Sequence, residues 1–299
     1  MYTSRAEEQT VRSWLGQKFS DYSMLVKMRL SLTVVFSSIM AFLIAADTIS
    51  LTAVLILAAG GFLVTGAANT LNQVLEKDYD RLMKRTAERP IAAGRMSVSE
   101  GVLAAGMMSL FGITFLAMFN PWTAFFGTFS LVLYAFVYTP MKRISSAAVL
   151  VGAVPGALPT LIGCVAAQGS LTMLALTLFT LQFFWQFPHF WSIGWLGFED
   201  YSKAGYRIVP VQEDGQRDRS IGLQALVYAA LLIPVSTVPY FLGVSGLVSA
   251  GIVLMLSVFY TVFSYRFYKK WDRKSALQLM FYSFFFIPTA LVAFFADKI

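Results

Sequence analysis

The chain has 299 residues, 57% of them hydrophobic and only 13% charged, with a formal net charge of +7 and a mean hydropathy of +0.66; these values exclude a soluble domain and describe an integral membrane protein. One cysteine, Cys164, excludes an internal disulfide, and one histidine, His189, excludes a multi-histidine zinc centre. There is no Walker A loop, no dinucleotide-binding glycine pattern and no basic stretch interleaved with aromatics on a soluble domain, which sets aside ATP coupling and nucleic-acid binding.

In chain order, residues 1–24 are polar and mixed in charge, without the apolar core of a secretory signal, and read as a cytoplasmic tail ahead of a membrane domain at 25–299. Nine stretches then approach the ~20 residues a helix needs to cross a bilayer. They lie near 30–46, 51–75, 98–119, 121–139, 145–166, 171–198, 221–242, 245–264 and 276–296. Ser97-x-x-Glu100 is a capping box for the third, and Asn120-Pro121 caps and opens the fourth. The fifth holds Gly152, Pro155, Gly156, Pro159 and Gly163, which permit close helix approach and a kink beside a cavity; packing alone also explains such residues. Residues 5–29, 77–95, 142–143, 203–219 and 266–274 contain 22 of the 23 Lys and Arg. Basic residues collect in cytoplasmic loops, so these segments share that side. The prediction is an all-α polytopic bundle of nine transmembrane helices around a central cavity, amino terminus cytoplasmic and carboxyl terminus opposite. The positive charge serves topology and attraction to an anionic lipid bilayer.

Asn72, Glu76 and Asp80 recur every fourth residue where the second apolar stretch gives way to basic sequence. At about 100° per residue these steps keep the three side chains within one arc of a helix, so their oxygens can converge. Arg85, Thr86, Arg89 and Pro90 follow. Acids that suit Mg²⁺ beside arginines that suit phosphate point to a diphosphate site at a membrane surface. Asp78 sits off the arc and is left out. Solvated helix ends are the bland alternative for any single charge, but Asn72 and Glu76 lie at the apolar boundary, where polar groups face a bundle interior or cavity. About 120 residues later acids again precede bases, in Glu199, Asp200, Lys203 and Arg207, as two four-helix halves with facing acidic ends would require.

The motifs resemble a known family. Asn72-x-x-x-Glu76-x-x-x-Asp80 with Met83-Lys84-Arg85-Thr86-x-x-Arg89-Pro90 resembles the first signature of the UbiA superfamily of intramembrane prenyltransferases, which usually has Asp in the middle. Tyr138-Thr139-Pro140-Met141-Lys142-Arg143, followed by Gly152, Gly156 and Pro159, is similar to its fourth-loop signature. Trp185-Gln186-Phe187-Pro188-His189-Phe190-Trp191, with Asp200-Tyr201 and Gly205-Tyr206-Arg207, resembles the branch that farnesylates protohaem IX. The resemblance covers about 27–299 and implies the following expectations. Mg²⁺ is the cofactor, held with farnesyl diphosphate by Asn72, Glu76, Asp80 and Asp200. Arg85, Arg89, Tyr138, Lys142, Arg143, Lys203 and Arg29 surround the diphosphate. Arg29 is equally a topology anchor or a propionate contact. His189 touches haem, the acceptor (haem B), whose vinyl group gains the farnesyl chain and a hydroxyl to give haem O for haem-copper oxidase assembly. Haem A synthase or oxidase assembly factors are implied partners, and a bacterial inner membrane the location, with the site on its cytoplasmic side. Two departures stand out. A register anchored on Gly205 puts Gly197 and Tyr201 where two Asp are usual, leaving the second ligand between Glu199 and Asp200, with Asp200 preferred for its Asp-Tyr pair. Cys164 replaces a frequent tryptophan. The rival readings are prenylation of a quinone or chlorophyll precursor, and a transporter; the latter needs polar residues through the midplane, whereas these gather at one rim.

Overall fold

The computed structural model describes the backbone of residues 2–299 and the side chains of 14–299, and among these residues there is no strand. In order the helices are α1 (Tyr2–Leu25), α2 (Met28–Ala45), α3 (Leu51–Leu75), α4 (Lys77–Asp80), α5 (Val98–Ala117), α6 (Pro121–Val132), a π-helical turn (Leu133–Tyr138), α7 (Thr139–Met141), α8 (Ala148–Gln168), α9 (Met173–Leu196), α10 (Phe198–Lys203), α11 (Ser220–Val235), α12 (Val238–Phe241), α13 (Leu247–Lys270) and α14 (Arg273–Ala296). Local chemistry starts many of them. The side chains of Ser50, Ser97, Asn120, Thr172 and Asp272 each accept a hydrogen bond from the backbone N–H three residues on, satisfying donors that a helix leaves orphaned. Asn120 has Pro121 beside it in the first turn, as its sequence implies. Glu100, at the start of α5, also receives Lys18 Nζ at 3.0 Å and Tyr22 OH at 3.1 Å, and Arg95 reaches Asp21 at 2.8 Å. These bonds tie the end of α1 to the bundle. The tail expected at 1–24 is thus helical from Tyr2; residues 1–13 lie outside the described side chains.

Eight helices among the described residues are long and apolar enough to cross a membrane: α2, α3, α5, the run from α6 to α7, α8, the run from α11 to α12, α13 and α14. The remaining predicted stretch forms α9, which at 24 residues has the length. Gln182, Gln186, His189 and three tryptophans keep its hydropathy down.

Close approach is built from small residues. α8 is the most enclosed span and packs between α2, α9 and α6. A Cβ at Gly163 would lie 2.1 Å from Ser38 O on α2, and one at Gly156 would lie 2.0 Å from Gln186 Oε1 on α9. α3 meets α5 in the same way, a Cβ at Gly112 falling 2.9 Å from Val64 N. Pro159 has no N–H for the Pro155 carbonyl, and Ser130 Oγ donates to that oxygen at 3.4 Å. At the end opposite Glu76, Lys298 Nζ donates to Leu43 O at 3.2 Å and to Ala46 O, while Asp297 accepts from Ser249 N at 2.7 Å. The tail of α14 therefore clasps the ends of α2 and α13.

Candidate active site

The second apolar stretch stays helical to Leu75, the chain bends at Glu76 (φ −103°, ψ 8°), and α4 continues for one turn. Asn72, Glu76 and Asp80 remain on one side across this bend and are each buried. They line a polar cavity of about 210 Å³ together with Lys27, Arg85, Arg89, Tyr134, Tyr138, Lys142, Tyr201 and Tyr206. That volume is below the roughly 300–1,000 Å³ of a complete small-molecule pocket. It suits a head group.

Each oxygen donor has its own cation. Lys142 Nζ donates to Glu76 Oε1 at 2.9 Å and Oε2 at 3.1 Å. One nitrogen of Arg89 reaches both oxygens of Asp80 at 2.7 Å. Lys27 Nζ donates to Asn72 Oδ1 at 3.1 Å, and Asn72 Nδ2 donates in turn to Glu76 Oε2 at 2.8 Å and Thr139 Oγ1 at 3.1 Å. Burial pushes the Glu76 carboxyl up, but the charge and hydrogen bond of Lys142, with the charge of Lys27, hold it below the usual carboxylate range. At Asp80 burial outweighs Arg89 and the carboxyl rises. Burial, then the charges of Arg89 and Lys142, push the Lys27 ammonium well below the usual lysine range. Cations outnumber acids around this cavity, so an anion is its natural guest.

Aromatic rings fix the cations. Lys142 Nζ lies 4.7 Å from the Tyr138 ring centroid and 5.8 Å from that of Tyr206, and the Arg85 guanidinium lies 4.6 Å from that of Tyr201. The π-helical turn that ends on Tyr138 widens the helix there, a feature that recurs at functional sites. The Tyr138 ring occupies the place where a Cβ of residue 152 would stand, 2.6 Å away, and Gly152 makes room for it. The backbone N–H of Arg207 donates to Lys142 O at 2.8 Å, fastening the loop that holds Tyr206 across the cavity mouth.

Of the residues expected from sequence, Asn72, Glu76, Asp80, Arg85, Arg89, Tyr138 and Lys142 therefore meet around one cavity. Arg143 sits behind it, donating to Tyr79 OH at 2.9 Å. Asp200 is half-buried on α10, just before the cavity-lining Tyr201, and Glu199, Lys203 and Arg29 are exposed; none of these four lines the cavity. His189 is elsewhere, on α9 against α14. Its Nδ1 is 2.7 Å from Ser283 Oγ, and Ser283 Oγ is 2.5 Å from Met280 O. The hydrogen bond at Nδ1 orients the ring and leaves Nε2 on its far side. Trp185 stacks on the imidazole at 4.9 Å.

Lys27 and Tyr206 were missed as site residues. Lys27 precedes the first span and adopts the left-handed region (φ 50°), which turns it inward while its neighbour Arg29 points out. Tyr206 sits in the Gly205-Tyr206-Arg207 motif, where its ring is signalled but its place is not.

The oxygen-only donor set of an amide and two carboxylates suits Mg²⁺, a hard cation that prefers oxygen. Among the described residues no group of three or more His, Cys, Asp or Glu could hold a metal ion by itself.

The model of the UbiA prenyltransferase family matches residues 33–287. The chain is 42% identical over 284 residues to the protoheme IX farnesyltransferase of Christiangramia forsetii, covering 93% of each. It is 43% identical over 288 residues to that of Flavobacterium psychrophilum, covering 94% of this chain and 95% of the relative. Among solved structures, a digeranylgeranylglyceryl phosphate synthase superposes with a TM-score of 0.78 at 16% identity, covering 94% of this chain and 98% of the other. A UbiA homolog from Archaeoglobus fulgidus bound to GPP and Mg²⁺ does so at 0.64 and 15%, covering 92% and 99%. At such identities these superpositions speak for the fold.

Proposed function

The chain belongs to the UbiA prenyltransferase family, and from that premise we propose that it transfers the farnesyl group of farnesyl diphosphate to a vinyl group of protohaem IX, giving haem O. The relatives' shared name supports the substrates. The observation that carries the reading is the cavity in which Lys27, Arg85, Arg89 and Lys142 crowd around Asn72, Glu76 and Asp80.

Diphosphate occupies this cavity, and the cations now held by the carboxylates turn part of their hydrogen-bonding capacity to its oxygens. Asn72, Glu76 and Asp80 would hold Mg²⁺, and Asp200, which stands on α10 outside the cavity lining, would turn in as a further ligand; when bound, the metal offsets charge on the diphosphate. As the carbon–oxygen bond breaks, the electron pair leaves with diphosphate, and preorganised cations in a water-poor site stabilise that charge more than water could. Arg85 and Lys142, fixed by Tyr201 and Tyr138, do most of this. The allylic cation bonds to the terminal vinyl carbon. Water then captures the cation beside the porphyrin and loses a proton, leaving a hydroxyethylfarnesyl group. Arg29, Arg143 and Lys203 form an outer ring of positive charge that draws the substrate in. His189 offers Nε2 to the haem iron, its ring oriented by the bond between Nδ1 and Ser283. The fold crosses a bacterial inner membrane nine times, α9 included, with the amino terminus and this site on the cytoplasmic side.

The test incubates purified protein with farnesyl diphosphate, Mg²⁺ and haem, and in parallel with hydroxybenzoate, and reads the products by mass spectrometry. Haem heavier by one farnesyl group plus water, lost on chelation with EDTA and restored by Mg²⁺, is expected. Prenylated hydroxybenzoate with unchanged haem would overturn the acceptor.

A further inference from the structure

The basic segment at 266–274 takes no part in this chemistry. Beside it α13 and α14 leave an open groove of about 670 Å³, lined by Phe263, Phe281 and Tyr282 and by Arg273, Lys274 and Gln278. Lys274, Gln278 and Phe281 follow at steps of four and three, so they stack along one face of α14. The face thus runs from ammonium through amide to aromatic ring. At 1.5 Å per residue, Lys274 and Gln278 are ~6 Å apart along the axis. That matches the roughly 5–7 Å of head-group layer on each side of the hydrocarbon. Arg266 stands 5.7 Å from the ring of Phe263 and brings a third cation to the groove wall. Among the described residues neither Arg273 nor Lys274 forms an ion pair, because the nearest acid, Asp272, is spent on capping α14 through Ser275 N at 2.8 Å.

We propose that this groove binds one anionic diacyl phospholipid of the surrounding bilayer. The phosphate lies against Arg273 and Lys274, the Gln278 amide donates to an ester carbonyl, and an acyl chain runs between Phe263, Phe281 and Tyr282. Charge complementarity selects this occupant. A second copy meeting this face with its own equivalent would oppose like charges, Arg266, Arg273 and Lys274 against a single Asp272, and a zwitterionic lipid would set its own ammonium beside them. General attraction of a basic surface to anionic lipid predicts no dependence on which basic residue is removed. A groove predicts a strong one.

The full chain is reconstituted in phosphatidylcholine bilayers doped with phosphatidylglycerol, extracted in mild detergent and weighed by native mass spectrometry. One retained phosphatidylglycerol per chain is expected. The double variant Arg273→Gln, Lys274→Gln should lower retention roughly 30-fold, from the usual contribution of a basic residue at a membrane surface. Gln278→Trp, which fills the groove and keeps every charge, should lower it as well, and it carries the test if the charge variant fails to fold. Lys269→Gln with Lys270→Gln, equal in charge and outside the groove, should retain the lipid. Equal loss in both charge variants, equal retention of phosphatidylcholine, or a lipid-free dimer would each overturn the proposal. The readout is bound lipid, so it is independent of the prenyl-transfer reading.

Discussion

Lys142 serves the folded chain and the proposed reaction at once. Its ammonium neutralises Glu76, which is 2% exposed, and lies 4.7 Å from the Tyr138 ring. Lys142→Ala removes a donor aimed at the leaving group and leaves a buried carboxylate without its partner. We expect kcat to fall by about 10²–10³-fold, the usual effect of losing one preorganised donor, with Lys142→Arg recovering part of it. Steady-state kcat and KM for farnesyl diphosphate, measured beside thermal unfolding, separate the two roles: a normal kcat in a destabilised protein would leave Lys142 a structural residue. The Asn72, Glu76 and Asp80 set was legible because helical periodicity survives the bend at Glu76. Lys27 was not, since only a left-handed backbone at one residue decides that it, rather than Arg29, faces the cavity. His189 was named from motif likeness, and Asp200 from the repeat of acids before bases together with its Asp-Tyr pair; neither signal says which way a side chain points.

Helix contacts depend on what glycine leaves out. α8 approaches α2 so closely at Gly163 that a methyl group there meets a backbone carbonyl, which cannot swing aside as a side chain could. Gly163→Ala should therefore destabilise by about 1–3 kcal/mol, the range for overpacking. Gly106→Ala on α5, with nothing within 4 Å, should be neutral or stabilising by up to ~1 kcal/mol through helix propensity. Thermal denaturation of both variants in one detergent checks the pair, and equal behaviour would remove the close-approach explanation. The spans themselves were readable from apolar length, to within three residues at each end except at α13, which runs six residues past the predicted 264 to Lys270. Their interruptions were not: the π-helical turn ending at Tyr138 and the break at Ser236 and Thr237 before α12 arise from local backbone bonding that composition does not encode.

Viewed as one molecule, the bundle places nearly all its basic residues at the end that holds the cavity, and this asymmetry can be tested directly. Cys164 is fully buried, so an impermeant maleimide reads introduced thiols against a silent background. Glu213→Cys, in the exposed loop after α10, and Ile299→Cys should label from opposite faces, the former only in inverted vesicles and the latter only in intact spheroplasts. Labelling of both from one face would refute the orientation. Architecture and charge asymmetry were thus open to sequence reasoning, while α9, the remaining predicted span, falls short on hydropathy. Its two glutamines explain why. Gln182 Nε2 donates to Gly156 O at 2.9 Å and Gln186 Nε2 to Ala153 O at 2.8 Å, both carbonyls belonging to α8. Alone in lipid, these amides would have no such partners. A lone α9 would thus carry two unpaired amide donors into lipid; the hairpin of α8 and α9 pairs both, while His189 and Trp185 wait for Ser283 on α14.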